Sequence, residues 1–222
     1  MHLALMPLRT VLFPGIALPL VTYEERYRRM VRECVAAEQP FGVVLIRSGQ
    51  EEGGLVEPYP VGTTARILRA RESDSGAMFV LAIGEKRFRV ESLQIEGDLL
   101  RAKVSLWGPG EGPVSAELCK ELQEMLNRHL RNLAALAGLP DVNLALEDDP
   151  DRLSYVIAAQ LTAPPRVHQQ LLEMPSTAER LVAERPLLQR EIEDYEVLLR
   201  AINKARSTQP QPCAEGGFLS VN

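Results

Sequence analysis

The chain has 222 residues, of which 45% are hydrophobic and 25% are charged, a composition typical of a globular protein with a hydrophobic core. The formal net charge of −5 argues against a surface dominated by phosphate-neutralising residues, and the three cysteines lie too far apart for a disulfide framework or a zinc site. No apolar run reaches the roughly 20 residues that span a bilayer. These features predict a protein of the reducing cytoplasm, without membrane association.

The opening stretch, residues 6–20, is apolar, yet it lacks the features of a signal peptide. Arg9 and three prolines interrupt it, and no small-residue cleavage site follows it. It therefore predicts folded structure: a strand, then a second strand through "TVLF". At Pro14-Gly15 it predicts a turn, because proline fixes φ and glycine accepts a positive φ.

A helix and then a series of strands follow the opening stretch. Thr22 and Glu25 have the spacing of a capping box, which predicts the N-terminus of the helix. A tight connection is expected at residues 84–86, and the strands together are typical of a small barrel or sandwich. The runs that predict strands, from their apolar or alternating residues, are 41–46, 61–70, 77–83, 87–93 and 99–107.

The sharpest change of composition is "GPGEGP" at residues 108–113. It predicts a boundary between a β domain (1–108) and an α-helical region (114–206). Residues 207–222 are polar and rich in proline and glycine, and we expect them to be disordered. Three helix starts in the helical region have capping signals, at Ser115, at Asp149 and at the second capping box of Ser176 and Glu179.

The final helix carries an a/d pattern of apolar residues over about three heptads. Arg185 occupies one seam position and weakens the pattern. The stripe can hold a homodimer together or pack within the monomer, and both interpretations remain open at this point. The residues predicted to mediate self-association are Leu188, Ile192, Tyr195 and Leu199.

The sequence contains no familiar catalytic or cofactor motif: GxxxxGK[ST], GxSxG and HExxH are all missing. His129 lies on an apolar helical stripe, and we interpret it as a core histidine, because a metal ligand needs partners at i+3 or i+4. The acidic residues at 147–151 complement the positive end of a helix. We therefore predict no catalytic residue, no cofactor and no metal site.

Seven basic residues can be aligned along the outer face of the β region. Few aromatic residues accompany them, whereas nucleic-acid binding needs stacking platforms beside clustered charge. We interpret them as solvated strand faces. They are Arg66, Arg69, Arg71, Arg87, Arg89, Arg101 and Lys103.

The order of these parts resembles the N-terminal domain of the Lon protease family. The motifs within residues 3–107 are "LMPLRTVLFPGIALPL", the helix "YEERYRRMVRECVAAE", "VGTTARI", "FVLAIGEKRFRVESL" and "LLRAKVSLW". The segments "DPDRLSYVIAAQL" and "HQQLLEMPSTAERL" continue the likeness. The resemblance implies an α+β fold, a PUA-like β pseudo-barrel with one helix followed by an α-helical bundle that ends in a long helix. With no Walker lysine and no room for further modules, we expect a stand-alone domain without the ATPase or protease.

The resemblance also implies a function: non-catalytic recognition of unfolded or extended polypeptide, or an adaptor role in protein quality control beside a Lon-type protease. The expected surface is the opening loop and the groove between the β domain and the helices, with candidate contacts at Phe13, Pro14, Ile16 and Tyr59. Two alternatives remain, an RNA-binding module by analogy with PUA folds, which the composition disfavours, and a structural homodimer without a substrate.

Overall fold

A computed structural model of the chain shows a six-stranded sheet with one helix inserted between its second and third strands, followed by four helices. The strands are β1 (His2–Leu8), β2 (Ala17–Thr22), β3 (Phe41–Gly49), β4 (Val56–Glu72), β5 (Met78–Glu96) and β6 (Leu99–Leu106). The helices are α1 (Glu25–Ala37), α2 (Ala116–Ala137), α3 (Pro150–Gln160), α4 (Pro165–Glu173) and α5 (Thr177–Thr208). The described residues are 1–49, 56–108, 110, 112–141, 143–144 and 149–208, without the side chain of Arg206.

The strands close on themselves. Their order is β2-β5-β4-β3-β1-β6, and β5 also pairs with β6. Only β1 and β3 run parallel to each other among these pairs. The closure depends on the 19-residue length of β5, whose first half pairs with β2 and whose second half pairs with β6. The predicted α+β fold class, with a β barrel before a helical region that ends in a long helix, is confirmed.

Two predictions for the β region are wrong. Residues 77–83 and 87–93 belong to one continuous strand, because β4 pairs with both halves of it and leaves no room for a turn at 84–86. The segment "TVLF" is not a strand: residues 9–16 leave the sheet, and the side chains of Leu12 and Phe13 are buried in two different core clusters.

The sequence predicts caps at several helix N-termini, and all but one of these predictions are correct. Ser115, Asp149 and Ser176 each accept a hydrogen bond from a backbone N–H in the first turn of their helix, as predicted. The capping box predicted at Thr22 is wrong, because Thr22 is the last residue of β2 and pairs with Met78. Helix α1 begins after Glu24 without a side-chain cap.

The long helix α5 contributes its apolar stripe to the core of this chain. Leu188 and Ile192 are buried in the cluster that joins the helices, which is the intrachain packing that the sequence left open. Tyr195 and Leu199 are half-buried, and the Tyr195 ring lies 5.5 Å from the ring of the buried His129. Self-association through α5 therefore remains a prediction for its C-terminal half. The predicted tail lies outside the described residues from 209 onward.

We expect Leu188→Ala to lower the free energy of unfolding by about 2–5 kcal/mol, because it leaves a cavity in the core that the surrounding helices fill only in part. Urea denaturation followed by circular dichroism measures this. The matched control is Leu198→Ala on the same helix, where 48% of the side chain is exposed and we expect a change of about 0.5 kcal/mol or less. Equal effects of the two substitutions would contradict the intrachain packing of the stripe.

Candidate functional site

The opening loop carries an aromatic side chain from the barrel into the helices. Phe13 is 2% exposed, and its ring centroid lies 6.2 Å from that of Tyr155 and 6.0 Å from that of His168. The predicted turn follows directly: the N–H of Ile16 donates to the carbonyl of Phe13 at 3.2 Å, and Gly15 has a φ of +76°. Phe13 therefore joins the two parts of the molecule instead of being presented to a partner.

Gly84 holds this loop against β5. Its N–H donates to the carbonyl of Ile16 at 3.0 Å, and its carbonyl accepts from the N–H of Gly15 at 2.8 Å. A Cβ at position 84 would lie 2.3 Å from the carbonyl oxygen of Phe13. Glycine is required here because no other residue permits so close an approach of two backbones.

Arg87 connects β5 to the helical part through its side chain. It is 1% exposed, and its Nη1 donates to the carbonyls of Leu172 (2.8 Å) and Met174 (2.6 Å) at the end of α4. Its Nη2 donates to the carbonyl of Gly108 at 3.1 Å. The carbonyls that end a helix lack intrahelical partners and carry partial negative charge, so the guanidinium satisfies and neutralises them. Burial lowers the pKa of Arg87.

Trp107 lies beside the side chain of Arg87. Its backbone N–H donates to the backbone carbonyl of Arg87 at 2.8 Å. The guanidinium carbons of Arg87 and Arg89 lie 4.3 Å and 4.0 Å from the centroid of its ring, which is cation–π distance. The half-buried indole is therefore held in place by contacts on its own sheet and presents its remaining surface to the space between barrel and helices.

A groove of about 320 Å³ opens at this junction. Its apolar surface comes mainly from Leu106, which is 51% exposed, with Trp107 and Tyr155, and Glu85, Lys86 and Asp151 supply opposite charges. The volume is within the range of pockets that receive small ligands or side chains. The residues that line the groove are Pro14, Glu85, Lys86, Arg87, Leu106, Trp107, Gly108, Asp151 and Tyr155.

The structure brings only one of the predicted contact residues into the groove. Pro14 lines it, and Ile16 is half-buried against the two core clusters that flank it. Phe13 is buried behind the groove, and Tyr59 is a half-buried residue of β4 that does not line it. Trp107 was missed, although its place at the end of the last strand, just before the predicted boundary, was a usable signal.

A polar network is buried in the helices behind the groove. Arg180 is fully buried, and its Nη2 donates to Asp151 Oδ1 at 2.6 Å. Its Nε donates to Ser154 Oγ. Its guanidinium carbon lies 4.1 Å from the centroid of the Tyr155 ring. Ser154 in turn donates to Glu184 Oε1 at 3.2 Å. Burial raises the pKa of Glu184 well above its usual 4.5, although the charge of Arg180 opposes the shift.

Three of the seven residues of the predicted basic stripe are paired with acidic side chains. Arg66, Arg101 and Lys103 form ion pairs with glutamates on the same sheet, at 2.6, 2.5 and 3.1 Å. Arg87 was wrongly assigned to a solvated face, because the helical part covers that side of β5. The six others are exposed or half-buried, as the interpretation of solvated strand faces predicts.

His129 is fully buried, which confirms its interpretation as a core histidine, and burial lowers its pKa. Within the described part of the chain, no group of three or more histidine, cysteine, aspartate or glutamate side chains is arranged to hold a metal ion. None of the helices in that same part is long and apolar enough to cross a membrane.

We expect Arg87→Ala to lower the free energy of unfolding by about 3 kcal/mol, because one buried and two partly buried hydrogen bonds from a charged donor to backbone carbonyls are lost at once. The control is Arg89→Ala, two residues away over the same indole but exposed, for which we expect a change below about 1 kcal/mol. Urea denaturation of both variants and the wild type measures the difference. If Arg89→Ala were as destabilising as Arg87→Ala, the three carbonyl contacts would not account for the effect.

Glu184 gives the stability a pH dependence with a defined sign. Because its pKa is raised in the folded state, unfolding releases its proton, and the wild type loses stability as the pH rises above the usual glutamate value of 4.5. We expect Glu184→Gln, which cannot ionise, to gain stability relative to the wild type between about pH 5 and pH 8. Urea denaturation across this range measures the gain, and a pH-independent difference would contradict it.

Comparison with known proteins agrees with this architecture. The sequence model of the "ATP-dependent protease La (LON) substrate-binding domain" matches residues 2–190. "Lon protease 2" of Syntrophobacter fumaroxidans is 29% identical over 210 residues, which cover 92% of this chain and 26% of the relative. The "Lon protease" of Escherichia coli is 26% identical over 214 residues, which cover 92% of this chain and 27% of the relative. This chain thus spans about a quarter of each of these two curated relatives.

Two solved structures share the fold. The Lon N-terminal domain protein from Xanthomonas campestris is 26% identical, with a TM-score of 0.63 over 82% of this chain and 96% of that one. The N-terminal domain of the Mycobacterium avium complex Lon protease has the same TM-score at 17% identity, over 85% of this chain and 98% of that one, and supports the fold alone. Since the family match covers barrel and helices alike, this chain belongs to the LON substrate-binding domain family.

Proposed function

We propose that this chain is a non-catalytic polypeptide-recognition module and that the groove between barrel and helices receives an apolar side chain of an unfolded or extended segment. The observation that carries the proposal is the apolar surface of the exposed Leu106 and the half-buried Trp107, which line this groove. Unfolded chains differ from folded ones chiefly in the apolar side chains that they expose, so an open apolar groove is selective for them.

The chemistry of the groove supports recognition without catalysis. Among its described lining residues there is no serine, cysteine or histidine to serve as nucleophile or general base. Two of the charged lining residues already have hydrogen-bond partners within the chain. Arg87 donates to backbone carbonyls, and Asp151 accepts from Arg180 and Thr177. Their role is to hold the walls of the groove.

The expected affinity follows from the size of the groove. Burying one leucine or phenylalanine side chain contributes about 1.5–3 kcal/mol. A dissociation constant of 1 μM needs about 8 kcal/mol. A single groove therefore binds weakly, and useful affinity requires a segment that contacts more of the surface, or several copies of the module acting together. Weak, multiple contacts suit a module that accepts many sequences.

The cellular setting is part of the same proposal. The family match supports a role beside a Lon-type protease in the cytoplasm, either within a longer chain or as an adaptor that delivers segments to it. No observation favours the RNA-binding alternative over polypeptide binding. The homodimer alternative keeps only the half-buried Tyr195 and Leu199 of its four predicted contacts accessible.

The groove has a built-in reporter, because Trp107 is the only tryptophan of the chain. We expect a tryptophan-free unfolded polypeptide, such as reduced and carboxymethylated ribonuclease A, to shift the emission of Trp107 on titration, whereas native ribonuclease A leaves it unchanged.

Matched variants make this test specific to the groove. Leu106→Asp places a charge on its apolar surface and should weaken binding about tenfold, the equivalent of about 1.4 kcal/mol. Leu93→Asp is the control, because Leu93 is a similarly exposed leucine, 43% against 51%, that does not line the groove. Equal loss of binding in both variants, or no emission shift in the wild type, would contradict the proposal.

A further inference from the structure

The outer face of the barrel carries a second surface that the groove does not use. Strands β2, β5 and β4 lie side by side, and their cross-strand pairs align residues in rows. Directly opposed residues point to the same face of a sheet. The three rows, read from β2 through β5 to β4, are Val21–Phe79–Arg71, Pro19–Leu81–Arg69 and Ala17–Ile83–Arg66.

Read along the strands, these rows form three columns. The columns on β2 and β5 are apolar, and the column on β4 consists of arginines. The exposed fractions of Val21, Phe79 and Leu81 are 52%, 48% and 37%. Their neighbours along β5, Val80 and Ala82, point the other way and are buried with α1 in the barrel core. No described element of this chain covers the outer side, so the apolar columns face solvent.

A bulge creates the arginine column. The pairing of β4 with β5 shifts between Ile67 and Arg69, which leaves Leu68 as an extra residue. Without the shift, alternation would place Arg66 and Arg69 on opposite faces; with it, both stand on the same face as Arg71. Leu68 itself is 44% exposed and adds to the apolar surface.

Two of the three arginines have no partner among the described residues. The Arg66 side chain donates to Glu85 at 2.6 Å, whereas the side chains of Arg69 and Arg71 make no hydrogen bond or ion pair within that part of the chain. Aromatic residues and arginine are enriched in protein interfaces and among their hot spots, and an exposed apolar patch is typical of an interaction site. Phe79 is the one aromatic residue in the three rows, and its neighbours there are aliphatic, which suits a polypeptide better than the stacked bases of a nucleic acid.

We propose that this surface docks an amphipathic helix of a partner protein, with carboxylates along one flank of its apolar stripe. Neighbouring strands are about 4.8 Å apart, so a helix of about 10 Å diameter covers the β2 and β5 columns and reaches the arginines with one flank. Alternate residues on β4 are about 6.7 Å apart, close to the 6 Å between helix positions i and i+4.

Docking on the face fits better than addition of a strand to the edge. β2 is the edge strand. The hydrogen bond from the Gly84 N–H to the Ile16 carbonyl fixes which residues of β2 direct their backbone groups towards β5, and Pro19 is one of the residues whose backbone nitrogen faces the free edge. Proline offers no N–H to an added strand, and it is a common protection of exposed edges. An added strand would also lie three strand spacings away from the arginines of β4 and leave their charge uncompensated.

Two synthetic peptides test the proposal with the full chain. Both are helices of about 18 residues with one leucine stripe; one carries glutamates on a flank of the stripe, and the other carries lysines at the same positions. We expect the glutamate peptide to bind the wild type at least about tenfold more tightly, with the difference shrinking at high salt. Fluorescence anisotropy of the labelled peptides measures both affinities.

Variants assign the binding to this surface. Arg69→Glu with Arg71→Glu should reverse the preference between the two peptides, and Phe79→Asp should weaken both. The control pair, Arg190→Glu with Arg200→Glu, changes the same charge on the exposed side of α5 and should leave the affinities within about twofold. All substituted side chains are exposed, and thermal melting followed by circular dichroism verifies the fold of each variant.

Three results would overturn the proposal: equal binding of the two peptides by the wild type, an unchanged preference in the Arg69→Glu, Arg71→Glu variant, or tighter binding of a single-stranded oligouridylate that the same variant loses. The last result would assign the surface to RNA. Leu106→Asp, which alters the groove, should leave the peptide affinities unchanged, so that failure here and failure of the proposed groove function are separate outcomes.

Discussion

The burial of Arg87 between the barrel and the helices is the interaction on which the rest of the molecule depends. Removing a guanidinium from water costs several kcal/mol, and the attraction of its surroundings must offset that cost. Here three carbonyls do so, two of them at the end of α4, where the backbone carries partial negative charge. The end of α4, the segment after β6 and the indole of Trp107 all take their positions from one side chain.

The barrel and the helices are also joined by apolar contacts. Phe13 and Val61 come from the barrel region but belong to the core cluster of the helices. Gln169 of α4 donates to the carbonyl of Val61 at 3.0 Å, a second polar contact across the same junction. The matched family region, residues 2–190, runs through both parts without a break. The groove therefore lies between two parts that pack against each other through one core cluster, and a ligand meets a surface that is already formed.

Local sequence signals predicted local structure well, and failed where a distant segment decides the outcome. The caps at Ser115, Asp149 and Ser176 are correct because each hydrogen bond joins residues two or three positions apart. Thr22 carries the same signal, but its backbone is already paired with Met78. Alternation likewise placed Arg87 on the outer face of its strand correctly, and the end of α4, more than 80 residues later, covers that face.

The two proposed surfaces make different demands on a partner, and the difference is electrostatic. The groove is lined by charges of both signs, among them Lys86 and Asp151, so an entering side chain is selected chiefly by its apolar area. On the outer face, Arg69 and Arg71 lack partners within the described residues, so charge selects there as well. A fully extended chain satisfies only the first demand, and a folded protein that displays an acidic amphipathic helix satisfies only the second. A partly folded chain, with one residual acidic amphipathic helix and one exposed apolar segment, satisfies both, and the two weak contacts then reinforce each other through effective concentration.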